Sequence, residues 1–265
     1  MIEAILVRAL GFSCVMATVA ALLVSLPGCE TVPITGRQQL NIVDPATADK
    51  LGEQAFAEVK AQHRISHDPA ANAMVQRVGR RLAAASGLQE NWEFIVIDEP
   101  QVNAFALPGG KVAVYAGMLP VAQNDVGLAT VLGHEIGHVM ARHAAERITR
   151  SQLIEAGTNL AAAALGGDPQ SRQTLGALLG AGATFGLELP FSREQEYEAD
   201  HIGLDLMARA GYDPRAAIAF WQRMQTRAGA KGPPEFFSDH PTDANRIARL
   251  EALLPEAMRY YKPAS

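Results

Sequence analysis

The sequence predicts an α+β domain, predominantly α-helical, with a small β-sheet or hairpin and a helix carrying HEIGH at positions 134–138. Three observations lead there. Apolar residues recur at helical spacing over most of the chain, and the period changes to alternation only between about residues 92 and 118. Aromatic residues make up 6% of the chain while Ala and Gly are abundant, which suits helices packed closely through small side chains. At 265 residues with 48% hydrophobic content, the chain is long enough for one well-buried domain. A net charge of −5 with no basic cluster argues against a nucleic-acid partner.

Residues 1–28 read as a lipoprotein signal peptide outside the fold. Gly11 to Leu26 is an apolar run near the lower limit for a spanning helix, and Leu26-Pro27-Gly28-Cys29 resembles the bacterial lipobox, in which cleavage precedes the Cys and its thiol is acylated. An ordinary signal peptide or an uncleaved anchor helix is the competing reading. Lipidation at Cys29 implies a periplasmic location with a lipid anchor in the membrane, and Glu30 in place of aspartate favours the outer membrane. Cys14 leaves with the signal peptide, so no free thiol remains for a disulfide or a thiolate metal site. Residues 29–45, with their Pro and Gly punctuation, are expected to form an extended, lipidated tether ahead of a domain over 46–255 and a tail over 256–265.

Within the domain, Leu51, Ala55, Phe56 and Val59 mark one face of a helix from Pro45 to about His63. Asp68 and Pro69 have the residue types of an N-cap and first turn, opening a helix that turns Met74, Val75, Val78 and Leu82 inward until Ser86-Gly87. Trp92, Phe94 and Val96 alternate with Glu93, Ile95 and Ile97 as a strand does. NAFALPGGKVAVYAGML then holds two short β-like runs around Pro108-Gly109-Gly110, a hairpin signal. From about Asn124 onward the chain is helical. Residues 151–189, split at Gly166-Gly167-Asp168-Pro169, read as a helical hairpin that packs on the core or borders the active-site cleft, with membrane contact the competing reading; neither half reaches the roughly 18 to 20 apolar residues that span a bilayer.

HEIGH carries the chemistry. Each helical step turns a side chain by about 100°, so His134 and His138 lie within about 40° of one another on one face, where two imidazoles can ligate a single tetrahedral ion. Glu135 projects beside them to reach a water. The motif is short enough to arise by chance, so its surroundings decide. The histidine face also carries Gly127, Val131, Ala141 and Ala145, while Gly133, Gly137, Met140 and Ala144 form a stripe where a neighbour packs close. Buried paired imidazoles need a partner, and a metal is the natural one. His143 falls about 180° from His134 and reads as solvated or structural.

A third ligand must come from SREQEYEADHIGLDLMARA. On its helical wheel Glu194, Glu198, His201, Asp205 and Arg209 share a polar outer face, whereas Glu196 and Asp200 turn to the apolar side with Gly203, Leu204 and Met207. Two inward carboxylates without a cation are costly, so Glu196 is the expected third ligand and Asp200 the acceptor that orients a ligand histidine. The alternative is that both acids sit at a partly wet helix edge.

Taken together, NAFALPGG with the following VAVYAGML, HEIGH, SREQEYEAD and SDHPTDANRI resemble the gluzincin metallopeptidases that include the CAAX prenyl endopeptidases and HtpX, in particular their periplasmic lipoprotein branch of the LoiP/BepA type. The resemblance runs from Thr35-Gly36-Arg37 to Arg249. It implies a zincin-like metalloprotease core with one zinc ion per chain on His134, His138 and Glu196, and with Glu135 as catalytic base. His240 is a candidate oxyanion donor, a loop histidine capping a helix that starts near Thr242, or an inhibitory ligand filling the open zinc position. Arg246 is a candidate contact to substrate or oxyanion. Asn103, Ala104, Phe105 and Ala106 are expected to offer a sheet edge to an extended substrate. The reading that follows is a zinc endopeptidase acting on unfolded or misfolded envelope proteins. The alternative is a chaperone-like lipoprotein, with weak or gated proteolysis, serving the outer-membrane assembly machinery.

Overall fold

A computed structural model describes residues 28–164, 190–231, 234–241 and 244–263. The signal segment up to Pro27, the stretch expected to complete a helical hairpin between residues 165 and 189, and Thr242 lie outside the described residues. Among those described, no helix is long and apolar enough to cross a membrane.

Strands β1 (Cys29–Thr31) and β2 (Gln38–Leu40) pair antiparallel as a hairpin. This corrects the expected tether. Val32, Gln39, Asn41 and Val43 are buried, and Gln39 Nε2 donates to the carbonyl of Ala141 at 2.7 Å. Pro and Gly here shape turns of a packed element, since the side chains between them find partners on the domain.

Helix α1 (Pro45–Gln62) opens on Asp44, whose side chain accepts from the amide of Thr47, and α2 (Pro69–Ser86) opens on Asp68, which accepts from Ala70 and Ala71. Gly87, with φ 72°, supplies the left-handed residue that ends α2. Next come β3 (Glu93–Ile97), β4 (Ala104–Leu107) and β5 (Lys111–Tyr115). The sheet order is β3-β5-β4, with β5 parallel to β3 and antiparallel to β4, so β4 forms an edge. Gly109 and Gly110, with φ of 75° and 72°, take the positive dihedrals that the tight β4–β5 turn requires. The sheet is covered on both sides. Phe94, Val96, Val112 and Val114 face the main core with α2, while Ile95, Ile97, Ala113 and Tyr115 pack against Phe56 of α1.

A short helix α3 (Leu119–Ala122) precedes α4 (Asp125–Met140), α5 (His143–Ala164), α6 (Arg193–Arg209), α7 (Ala216–Lys231), α8 (Phe236–Asp239) and α9 (Arg246–Ala257). The residues expected as a tail do not trail away: Ala257 is buried, and Arg209 lies over the Tyr260 ring at 3.8 Å.

Helix α4, which carries HEIGH, is enclosed from Gly127 to His138, and α6 packs directly along it. The stripe of small residues explains how close they come. A Cβ on Gly203 would meet the Gly133 carbonyl carbon and the His134 amide nitrogen at 3.0 Å, and one on Gly137 would meet the Ala199 carbonyl at 2.9 Å. These are backbone atoms that cannot swing aside. Gly203→Val should therefore destabilise the fold by about 1–3 kcal/mol, the usual cost of overpacking, read as a lowered denaturation midpoint.

Candidate metal centre

Asn124 caps α4 by accepting from the Gly127 amide at 3.0 Å, and Ser192 with Gln195 forms a reciprocal capping box at the start of α6. These caps fix the ends of the two helices whose inner faces meet at the site. His134, His138, Glu196 and His240 each offer one ligand atom, all within 4.8 Å of one another, and all four residues are buried. His134 Nε2 lies 3.1 Å from His138 Nε2 and 3.2 Å from Glu196 Oε2, while His138 Nε2 lies 3.4 Å from Glu196 Oε1. One donor atom from each of the four residues thus converges on a single point. Glu196 Oε2 and Glu135 Oε1 have no hydrogen-bond partner among the described residues. A buried carboxylate oxygen in that condition is costly unless a cation answers it, so the donor set fits a metal ion.

Electrostatics point the same way. Burial pushes the His138 imidazole well below its ordinary value, leaving it neutral and able to ligate. Burial also opposes the charge on Glu196, but His240 and His134 outweigh it and hold the carboxyl well below the carboxylate range. Glu135 is raised to about 7, first by burial and then by nearby Glu196, with His240 in partial opposition.

Behind the ligands stand two supports. Asp200 Oδ1 sits 3.0 Å from His134 Nδ1 and accepts from Arg246 Nη2 at 2.6 Å. Arg246 is buried over the Trp221 ring at 3.3 Å. Arg246 is expected to contact substrate or oxyanion; in the structure its Nη2 is engaged by Asp200, where a buried carboxylate beside histidine needs a fixed cation. On the other side, His138 Nδ1 lies 2.8 Å from His143 Nδ1, and His143 Nε2 lies 3.1 Å from Glu198 Oε2. Glu198 in turn accepts from Thr35 Oγ1 and Arg37 Nε, each at 2.5 Å. A continuous polar chain thus joins the N-terminal hairpin to a candidate ligand.

His143 is therefore fully buried, not solvated. The helical projection failed because α4 ends at Met140 and Arg142 adopts φ 55°, which turns the chain and returns His143 to His138. The outer face expected on α6 is partly covered: the N-terminal hairpin lies on Glu198 and Asp205 is buried, while Glu194 and Arg209 stay exposed. Phe191, stacked on His138 at 3.7 Å, was not foreseen. Its nearness to the SREQ capping box was the only signal available.

His240 is 1% exposed, with Nδ1 at 3.0 Å from Glu196 Oε1 and Nε2 at 3.5 Å from Glu135 Oε1. It stands in the donor group and is the C-cap residue of α8, its amide donating to the Phe236 carbonyl at 2.8 Å; α9 begins later than expected, after Asn245. Asn103 Nδ2 donates to Asp239 at 3.1 Å and Ala104 is buried, so these side chains bind the protein itself. What β4 leaves at the edge is backbone with the part-exposed Phe105, Ala106 and Leu107. The Ala106 amide adjoins the Glu135 carboxylate. A cavity of about 140 Å³, lined in part by Ala106, Pro108, His138, Met140 and Phe191, opens beside this edge.

Residues 69–254 match the model of peptidase family M48. Over 233 residues the chain is 41% identical to "Mitochondrial metalloendopeptidase OMA1" of Schizosaccharomyces pombe, covering 86% of this chain and 67% of that protein. It is 32% identical over 244 residues to "Metalloendopeptidase OMA1, mitochondrial" of Homo sapiens, covering 87% of this chain and 47% of that one. Against the "Beta-barrel assembly-enhancing protease" of Escherichia coli K12 it is 28% identical over 230 residues, covering 83% and 46%. The expected periplasmic, lipid-anchored, outer-membrane placement is overturned by the mitochondrial names of the more similar relatives. An apolar N-terminal run ending in a small residue and Cys is too general a signal to specify one compartment. Together with the convergent histidines and acids on α4 and α6, these matches show that the chain belongs to peptidase family M48, whose metalloendopeptidase core it carries.

Proposed function

We propose that the protein is a zinc-dependent endopeptidase that cleaves unfolded or misassembled polypeptides held in extended form along β4. The observation that carries this reading is the meeting of His134, His138 and Glu196 beside a buried Glu135 whose Oε1 has no hydrogen-bond partner among the described residues, next to a sheet edge. His134, His138 and Glu196 would hold the metal, which supplies Lewis-acid polarisation of a carbonyl and acidifies a water.

The protein's own groups do the rest. The β4 backbone aligns an extended chain by strand addition, which makes little demand on side-chain sequence. The cavity beside Ala106 and His138 favours an apolar side chain near the scissile bond. Glu135 takes the proton from the attacking water and returns it to the leaving amine. Asp200 fixes the tautomer and orientation of His134, and Arg246 fixes Asp200.

Casein hydrolysis tests the proposal. Purified protein should degrade unfolded casein, lose that activity on chelation and regain it with zinc; hydrolysis that persists after complete metal removal would count against the site.

His240 keeps two roles apart in its position. As a fourth donor it closes the metal group in a resting state; as an oxyanion donor it acts after withdrawing from Glu196. His240→Ala should raise casein hydrolysis several-fold under the first role and lower it under the second, as read from initial rates.

A further inference from the structure

Helix α6 carries another set of donor atoms on the side that faces α9. His201, Asp205 one turn further, and Glu256 of α9 each bring one ligand atom to within 4.8 Å of the others. Asp205 is 1% exposed, and both its Oδ1 and His201 Nε2 are buried without a hydrogen-bond partner among the described residues. Leaving such atoms unanswered costs roughly 1–3 kcal/mol each.

The neighbouring charges do not supply the missing partner. Burial raises the Asp205 carboxyl above its ordinary range and Glu256 adds to this, while His201 and Arg209 pull against it. Arg209 stands one turn beyond Asp205, yet its guanidinium is stacked over Tyr260. His201 Nε2 lies 3.4 Å from Glu256 Oε2 without forming a hydrogen bond. That separation is close to the edge of a tetrahedron of ligands at zinc distances, about 3.3 Å. The His201 and Glu256 side chains are 20% and 43% exposed, which leaves an ion a route in and space for water as a further ligand.

We propose that His201, Asp205 and Glu256 form a second divalent-metal site, of the nitrogen and oxygen donor class that takes zinc, pinning the C-terminal part of α9 to α6. The site is structural. At its other end α9 begins with Arg246, which holds Asp200 and through it His134, so a clamp at Glu256 steadies the helix that supports the catalytic group.

Zinc titration of the metal-free full chain, followed by calorimetry and by metal content after gel filtration, separates the two sites. Wild type should bind two equivalents, and Glu196→Gln should keep the α6–α9 equivalent. Glu256→Ala and His201→Ala should each lose that equivalent, with its affinity falling at least ten-fold while the other is unchanged. Glu256 is part-exposed, so its variant keeps the question open to measurement if His201→Ala fails to fold. One equivalent in wild type that Glu196→Gln abolishes, or two equivalents retained by either folded variant, overturns the proposal. Failure of Glu196→Gln to lose any metal would instead strike the catalytic site alone.

Discussion

Glu135→Gln should leave zinc bound and the fold intact, yet lower kcat on casein by roughly 10²–10⁴-fold, the usual contribution of general acid–base catalysis. Glu135 is 1% exposed and sits one residue past His134, so the amide fills the same space without disturbing α4. What it removes is a proton acceptor that burial brings to about 7, close to the range in which a general base serves best. Metal content and kcat measured on the same sample separate this loss from loss of the ion. A variant that keeps its zinc and more than a tenth of wild-type turnover would show that another group accepts the proton.

Glu196→Ala should cost both metal and stability. The carboxylate lies within 3.0–3.4 Å of nitrogens on His134, His138 and His240, all buried. Removing it strips the four-residue donor group of its one carboxylate among the described residues and leaves three imidazoles facing one another. Zinc affinity should fall by more than the 10–100-fold typical of lost outer partners. The metal-free variant should also be less stable than metal-free wild type by about 3–5 kcal/mol, the cost of breaking a buried ion pair. Denaturant midpoints in the presence of chelator measure the second effect, and unchanged midpoints would mean that the histidines are held by packing alone.

The inward side of each helix was legible because a single physical contrast fixes it. On α6, Glu196 and Asp200 share the apolar side with Gly203 and Leu204, and that placement brings Glu196 to His134 and His138. The β4–β5 hairpin was legible for the same kind of reason, since adjacent glycines after Pro108 leave few alternatives to a tight turn. Outward sides were not legible. A wheel separates polar from apolar but says nothing about a second element lying over the polar side, as the N-terminal hairpin lies over Glu198 and α9 meets His201 and Asp205. Nor does it survive the end of a helix: once Arg142 leaves the helical region, the angle assigned to His143 loses its meaning. The role of Arg246 was hidden because its partner, Asp200, is distant in sequence.

The packing of residues 28–43 reaches the metal group. Arg37 is hydrogen-bonded to both Glu146 and Glu198, Arg142 is paired with Glu30, and Gln39 reaches the end of α4. The first described strand is therefore wired to the catalytic helices, with no slack in between. A substitution at Arg37 would therefore be felt at His138, through Glu198 and His143. The hairpin thus belongs to the working parts of the site, although it contributes no atom to the donor group.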